Sequence, residues 1–234
     1  SRLITLVDSL IMVYDQRNVY YPGKEAYVIG MKGADMYRLM KNTTEGLQAS
    51  YEELRRSFEM AGNASTSSVL NYYFMATTKL VQAKELNVED LIALFSDLSS
   101  VISYKEAKLT QDIYNSEQID ELSTKELKLL KKNKKELKTL GDVKNNLEKT
   151  LAPHATCEKL VELYAKNFQQ NKQDIAWMKR AAKLLNKKEC TDSDIFFSIS
   201  EALYNLDPSS SAAANMGIRS LKRKDYEKAE AFYT

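Results

Sequence analysis

The chain has 234 residues but only 7 Gly and 3 Pro, against about 28 expected at average usage, which excludes turn-dense β-sandwiches and barrels as well as glycine-rich phosphate loops. Hydrophobic residues at 44% and charged residues at 28% exclude disorder. A formal net charge of +2 excludes a global field drawing the protein to nucleic acid or membrane. What remains is an all-α protein.

Apolar spacing predicts a first helix from Leu3 to Tyr20, ended by Pro22-Gly23, and a second from Lys24 to Met40. Asn42-Thr43-Thr44 offers the cap of a third, which runs to Met60 and stops at Gly62-Asn63. Ser67-Ser68 opens a fourth, with Val69, Leu70, Tyr73, Phe74, Thr77 and Leu80 on one stripe. Asn87, followed three residues on by Asp90, opens a fifth with Leu91, Leu94, Phe95, Leu98 and Ile102 inward. Residues 1–104 thus read as a run of helix pairs. The opening Leu3–Val13 stretch carries Asp8 and no basic leader, so it is expected to be neither signal nor anchor. No apolar run reaches the roughly 20 residues a membrane span needs.

Residues 105–152 read differently. Between Lys105 and Leu151 there is no Pro and a single Gly, Gly141. Ile119, Leu122, Leu129, Leu130, Leu137, Leu140, Leu147 and Leu151 form a narrow stripe. This predicts one long Lys-rich helix, or two helices broken near Gly141-Asp142, with a coiled-coil-like seam. Lys125–Lys149 holds nine lysines against Glu126, Glu136, Asp142 and Glu148, a local excess of +5. The same stretch lacks Arg and aromatic residues, which nucleic-acid surfaces use for phosphate forks and base stacking. A solvated helix face is expected, and no nucleic acid partner.

From 153 to 234 the chain is periodic. Expected helix starts fall at Thr156, Asp174, Thr191, Ser209 and Asp225, and alternate starts lie 34 or 35 residues apart. That is the period of the tetratricopeptide repeat, a helical pair. Leu206-Asp207-Pro208 ends one helix, Ala213, Met216 and Gly217 mark the next, and Lys224-Asp225-Tyr226 makes a turn into Glu227-Lys228-Ala229. The last unit is expected to be cut short, with Ala229, Phe232 and Tyr233 left as an apolar face without a following helix.

The local residues extend the likeness. Val13-Tyr14-Asp15-Gln16-Arg17, Tyr20-Tyr21-Pro22-Gly23-Lys24-Glu25, the Cys157 segment, Lys188–Ser193 and Leu206-Asp207-Pro208-Ser209 resemble tetratricopeptide proteins common in Bacteroidetes. The resemblance implies a right-handed α-solenoid of antiparallel pairs, and a cell-envelope or periplasmic address with the cytoplasm as the alternative. Ala213 stands where the repeat usually has a large aromatic early in the first helix.

Cys157 and Cys190 are 33 residues apart, nearly one repeat, so stacking would bring them to one edge. They read either as a disulfide, which needs an oxidising compartment, or as two buried thiols. His154 stands alone beside Pro153 and reads as a loop histidine, with no ligand cluster or nucleophile spaced around it. No catalytic, cofactor or metal site is expected, and the protein is read as a non-enzyme. In the repeat architecture the first helices line a groove, which makes Trp177, Arg180 and Leu184, with Asn215, Ile218 and Lys222 one unit later, the candidate peptide contacts. The expected function is a protein or peptide-binding scaffold. The alternative is a structural spacer that self-associates through the long helix or the shortened last repeat.

Overall fold

A computed structural model describes residues 2–208 and 210–233, and the side chains among them except at 2–6, 176, 210–212, 214, 215 and 233. Among the described residues there are eleven α-helices and no strand: α1 Arg2–Tyr20, α2 Glu25–Met40, α3 Thr44–Ala61, α4 Ser67–Gln82, α5 Val88–Glu117, α6 Thr124–Leu151, α7 Cys157–Asn171, α8 Ile175–Lys187, α9 Asp194–Leu206, α10 Ser210–Lys222 and α11 Tyr226–Tyr233. The chain divides into two compact units, 1–154 and 155–234.

In the first unit the caps do what short polar side chains do at orphan amides. Thr43 accepts from the Gly46 N–H at 3.2 Å, and Thr66 from the Val69 N–H at 3.3 Å. The fourth helix is thus capped one residue ahead of the expected Ser67. The Asn87 N–H donates to the Asp90 carboxylate at 3.1 Å and opens α5. Helix α2 meets α3 closely through small residues. Ser50 Oγ donates to the Gly33 carbonyl at 2.9 Å and Ser57 Oγ to the Ala26 carbonyl at 2.7 Å. A Cβ at Gly30 would overlap Val69 Cγ2 and Ser57 Oγ. Lys32 is buried between Asp15 of α1 and Glu53 of α3, each 2.7 Å away, and Tyr14 donates to Asp35 at 2.6 Å. Burial and that hydrogen bond push the Tyr14 pKa up to about 12. The apolar core lies among α3, α4, α5 and α6, with Leu54, Leu70, Phe74, Leu91, Leu98, Ile102, Leu140 and Leu147 almost wholly buried. Each such side chain is worth about 1.5–3 kcal/mol of burial.

The long Lys-rich helix is not one helix, and its break is not at Gly141. The segment 105–117 continues α5, the chain turns over Gln118–Ser123, and α6 begins there. Ser123 accepts from the Glu126 N–H at 3.3 Å while the Glu126 carboxylate accepts from the Ser123 N–H at 2.8 Å. This reciprocal capping box is what starts α6. Ile119 and Leu122 therefore belong to the connection and leave the stripe. Gly141 sits inside α6 with open space around it. The stripe is buried only in its second half, at Leu140, Val143, Leu147 and Leu151, whereas Leu129 is 53% exposed. Helix α6 packs on α4 and α5, so 105–152 is part of the first unit and not a segment apart.

In the second unit, α7 packs on α8 and α9, α8 on α9, α9 on α10, and α10 on α11. Thr156, Asp174 and Asp225 cap α7, α8 and α11 through the N–H groups of Lys159, Trp177 and Lys228. The cap of α9 is Ser193, which accepts from the Phe196 N–H at 3.4 Å. The expected start at Thr191 falls two residues early, in the turn before it. Ser209 lies outside the described residues. Helices α8 and α10 end alike: Glu189 and Lys224 have φ of 58° and 61°, and the next N–H reaches back to Leu185 and Ser220 carbonyls, each at 2.9 Å. This is the Schellman turn, repeated at 35 residues. The face of α11 is not left bare: Ala229 is buried and Phe232 meets Tyr204 edge-on, ring centroids 5.0 Å apart. Tyr233 has its side chain outside the described residues.

Candidate interaction surface

The second unit holds the residues singled out from sequence. Helix α8 is positioned by its Asp174 cap, which accepts the Trp177 N–H at 2.9 Å. The Trp177 ring stands edge-on to Tyr164 of α7 at 5.5 Å and 81° and is half-buried. Met178, Ala181 and Leu185 form the buried stripe of α8, and Leu184 joins them at 6% exposure. Leu184 is therefore core and cannot line a groove, a correction to the sequence reading. Arg180 flanks this stripe half-buried, and its Nε is shut from solvent without an acceptor among the described residues.

One unit later, Ile218 is 50% exposed. Lys222 is exposed and reaches toward Asp192 at 3.8 Å. The side chain of Asn215 lies outside the described residues. Sequence reasoning missed the cation–π seam between α9 and α10. The Arg219 guanidinium lies 3.8 Å over the Phe196 ring and donates to Ser200 Oγ, while Arg223 lies 4.4 Å over Phe197 and donates to Asp194 at 2.7 Å. Burial lowers the Arg219 pKa, yet the ring face supplies the negative potential that replaces water. The signal was present as Phe196-Phe197 on one helix and two arginines four apart at the end of the next helix and in the turn after it, but no spacing rule links residues on different elements.

Cys157, at the first turn of α7, and Cys190, in the turn before α9, lie with Cα atoms 5.5 Å apart and are paired as a disulfide, a distance inside the range such bonds require. His154 lies in the turn after α6, its backbone N–H donating to the Leu151 carbonyl at 2.8 Å. Among the described residues no three His, Cys, Asp or Glu side chains gather where they could hold a metal ion. No described helix is long and apolar enough to cross a membrane. On α6, Lys134 pairs with Glu117 at 2.6 Å and Lys144 with Glu106 at 3.2 Å, so part of the lysine excess is spent on the neighbouring α5.

The second unit therefore carries the half-buried Trp177 and Arg180 on α8 and the exposed Ile218 and Lys222 on α10 beside the buried residues of each helix. Comparison with protein-family models, curated proteins and solved structures finds no match to this chain.

Proposed function

We propose that the chain is a non-catalytic protein-interaction module, whose second unit is a tetratricopeptide-like array of helix pairs that binds a segment of a partner protein. The observation that carries this reading is the order of packing in 155–234: helices meet their neighbours in sequence, and α8 and α10 end in the same left-handed turn 35 residues apart. Stacked pairs bury their core only against neighbours and leave a long face open to partners. In this reading α8 and α10 are the first helices of two pairs in a right-handed solenoid, and the first unit is a more degenerate run of the same kind. The Cys157–Cys190 pairing supports an oxidising compartment such as the periplasm.

The test is selection of a displayed peptide library on the full chain, followed by calorimetric titration of recovered peptides. Binding that is lost in the Ile218→Asp, Lys222→Glu double variant, with its melting curve unchanged, is the expected result. Failure to recover any peptide that binds in solution removes the reading.

Exposed Leu127 and Leu129 on the first half of α6 favour a second reading, a spacer that pairs through this helix. It expects sedimentation at twice 26.7 kDa and reversion to monomer in Leu129→Asp. Monomer at all accessible concentrations removes it.

A further inference from the structure

Charge is sorted between the helices of the second unit. Helix α8 carries Lys179, Arg180, Lys183 and Lys187 and no carboxylate, and α10 carries Arg219 and Lys222 and no carboxylate. Helices α7, α9 and α11 together carry six carboxylates against three lysines. Solubility alone would mix the signs on each helix, as on α3, where Arg55 lies between Glu52 and Glu59 and pairs with both. Helices α8 and α10 are thus the two of this unit that carry cations alone, but Arg219 of α10 is taken up over the Phe196 ring of α9, which leaves α8 as the helix with cations to offer.

Some of these cations already have internal partners. Lys179 holds Asp207 at 2.5 Å, and Lys222 lies 3.8 Å from Asp192. Arg180 has none among the described residues: its Nε is closed to solvent, and a partner would meet the terminal nitrogens of its half-buried guanidinium. Lys183 stands one turn further along the same flank, exposed, and Trp177 lies one turn before. The terminal nitrogens of this guanidinium, beside a half-exposed indole, are suited to a carboxylate, which supplies two acceptors to the fork. A second acid nearby would meet Lys183, and an apolar neighbour would cover Trp177.

We propose that the cationic flank of α8 receives an acidic segment of the partner protein, anchored by Arg180 and Lys183 beside Trp177. This rests on the interaction-module reading above. The lysine face of α6 is a weaker candidate, because it offers no guanidinium and no aromatic residue and is partly neutralised by Glu106 and Glu117.

The test uses the full chain and a fluorescein-labelled peptide alternating Glu and Asp with Leu and Phe. Its controls are the same peptide with Gln and Asn in place of the acids, and labelled oligothymidylate. The acidic peptide is expected to bind with an affinity that falls as salt rises, and the neutral one at least about tenfold more weakly. Arg180→Gln and Lys183→Glu should each weaken the acidic peptide by about tenfold or more. Lys183, being exposed, keeps the test valid if Arg180→Gln fails to fold. Lys131→Gln with Lys135→Gln on α6 should change nothing. The proposal is overturned by equal binding of acidic and neutral peptides, by loss of binding through the α6 variant, or by oligothymidylate binding that Arg180→Gln abolishes. Library selections that recover only neutral or basic binders would overturn it while leaving the interaction-module reading intact. Recovery of no binder at all would remove that reading itself.

Discussion

Opening the Cys157–Cys190 bridge should destabilise the second unit far more than the first. The bridge closes a loop with a sequence separation of 33. In the chain-entropy description, with ΔS near −2.1 − 1.5R ln n, a loop of this size corresponds to about 3.7 kcal/mol at 25 °C, although part of the measured effect of disulfides is enthalpic. The unit has only some 80 residues, for which total stability is on the order of 4–12 kcal/mol. Losing the bridge therefore removes a large share of what holds α7 to α9. At about 4–8 °C per kcal/mol for domains of this size, the midpoint of the unit should fall by about 15–30 °C. Cys157 is exposed and Cys190 buried, so Cys157→Ala is the cleaner perturbation, since it leaves one small apolar thiol in place. The assay is thermal melting with and without reductant, combined with hydrogen exchange that separates 1–154 from 155–234. Mass spectrometry of the unreduced chain should show two hydrogens fewer than the dithiol. Two freely alkylated cysteines in oxidised protein, or a midpoint for 155–234 that does not move on reduction, would refute the reasoning.

Other substitutions probe the first unit. Gly141→Ala should stabilise it by about 0.8–1.0 kcal/mol in denaturant melts, because the new methyl meets open space and relieves only the helix cost of glycine. Gly30→Ala should do the opposite, by about 1–3 kcal/mol, since its methyl would overlap Val69 and Ser57 at the close contact of α2 with its neighbours. Stability measured against pH should fall between pH 10 and 12 in part through Tyr14. Its phenol is held protonated in the folded state up to about pH 12, against an ordinary value near 10, so its contribution is full below pH 10 and is lost as pH rises through 12. The stability difference between wild type and Tyr14→Phe should shrink over that window, and a constant difference would remove Tyr14 from the account.

Helix existence and most helix ends were legible because caps are local chemistry. Thr43, Asn87 with Asp90, Thr156 and Asp174 each act on an amide within three residues, so sequence spacing alone finds them. The break between α5 and α6 is legible in the same way, as Ser123-x-x-Glu126, whereas Gly141 is a misleading breaker signal. A lone glycine costs a long helix only about 1 kcal/mol, less than the packing of Leu140, Val143 and Leu147 on either side of it returns. The candidate surface was less legible. Leu184 and Arg180 lie on neighbouring parts of one helix face, and only the packing of α8 against its neighbours decides that the leucine is core and the arginine is rim. The stacking of Arg219 on Phe196 depends on two helices meeting, which no spacing within one helix encodes.

The place where the two helix pairs of the second unit differ accounts for where its disulfide sits. After Lys224 the next residue, Asp225, already caps α11, so the left-handed turn passes straight into the second helix. After Glu189, in the corresponding turn, the cap is delayed to Ser193. The extra residues lengthen the hairpin between α8 and α9 and leave its geometry less determined by the turn itself, because a longer connection has more conformations to lose. Cys190 directly follows the left-handed Glu189 in this longer connection, its N–H fixed to the Leu185 carbonyl at 2.9 Å. Pairing it with Cys157 ties the loosened turn to the first turn of α7, the helix that α9 must pack against. The α10–α11 turn, with no added residues, holds its helices by backbone hydrogen bonds and a buried Ala229. The bridge thus sets the position of α9 relative to α7 and α8, and α8 carries Arg180 and Lys183. The same covalent tie that stabilises the unit also fixes the helix that presents its cations.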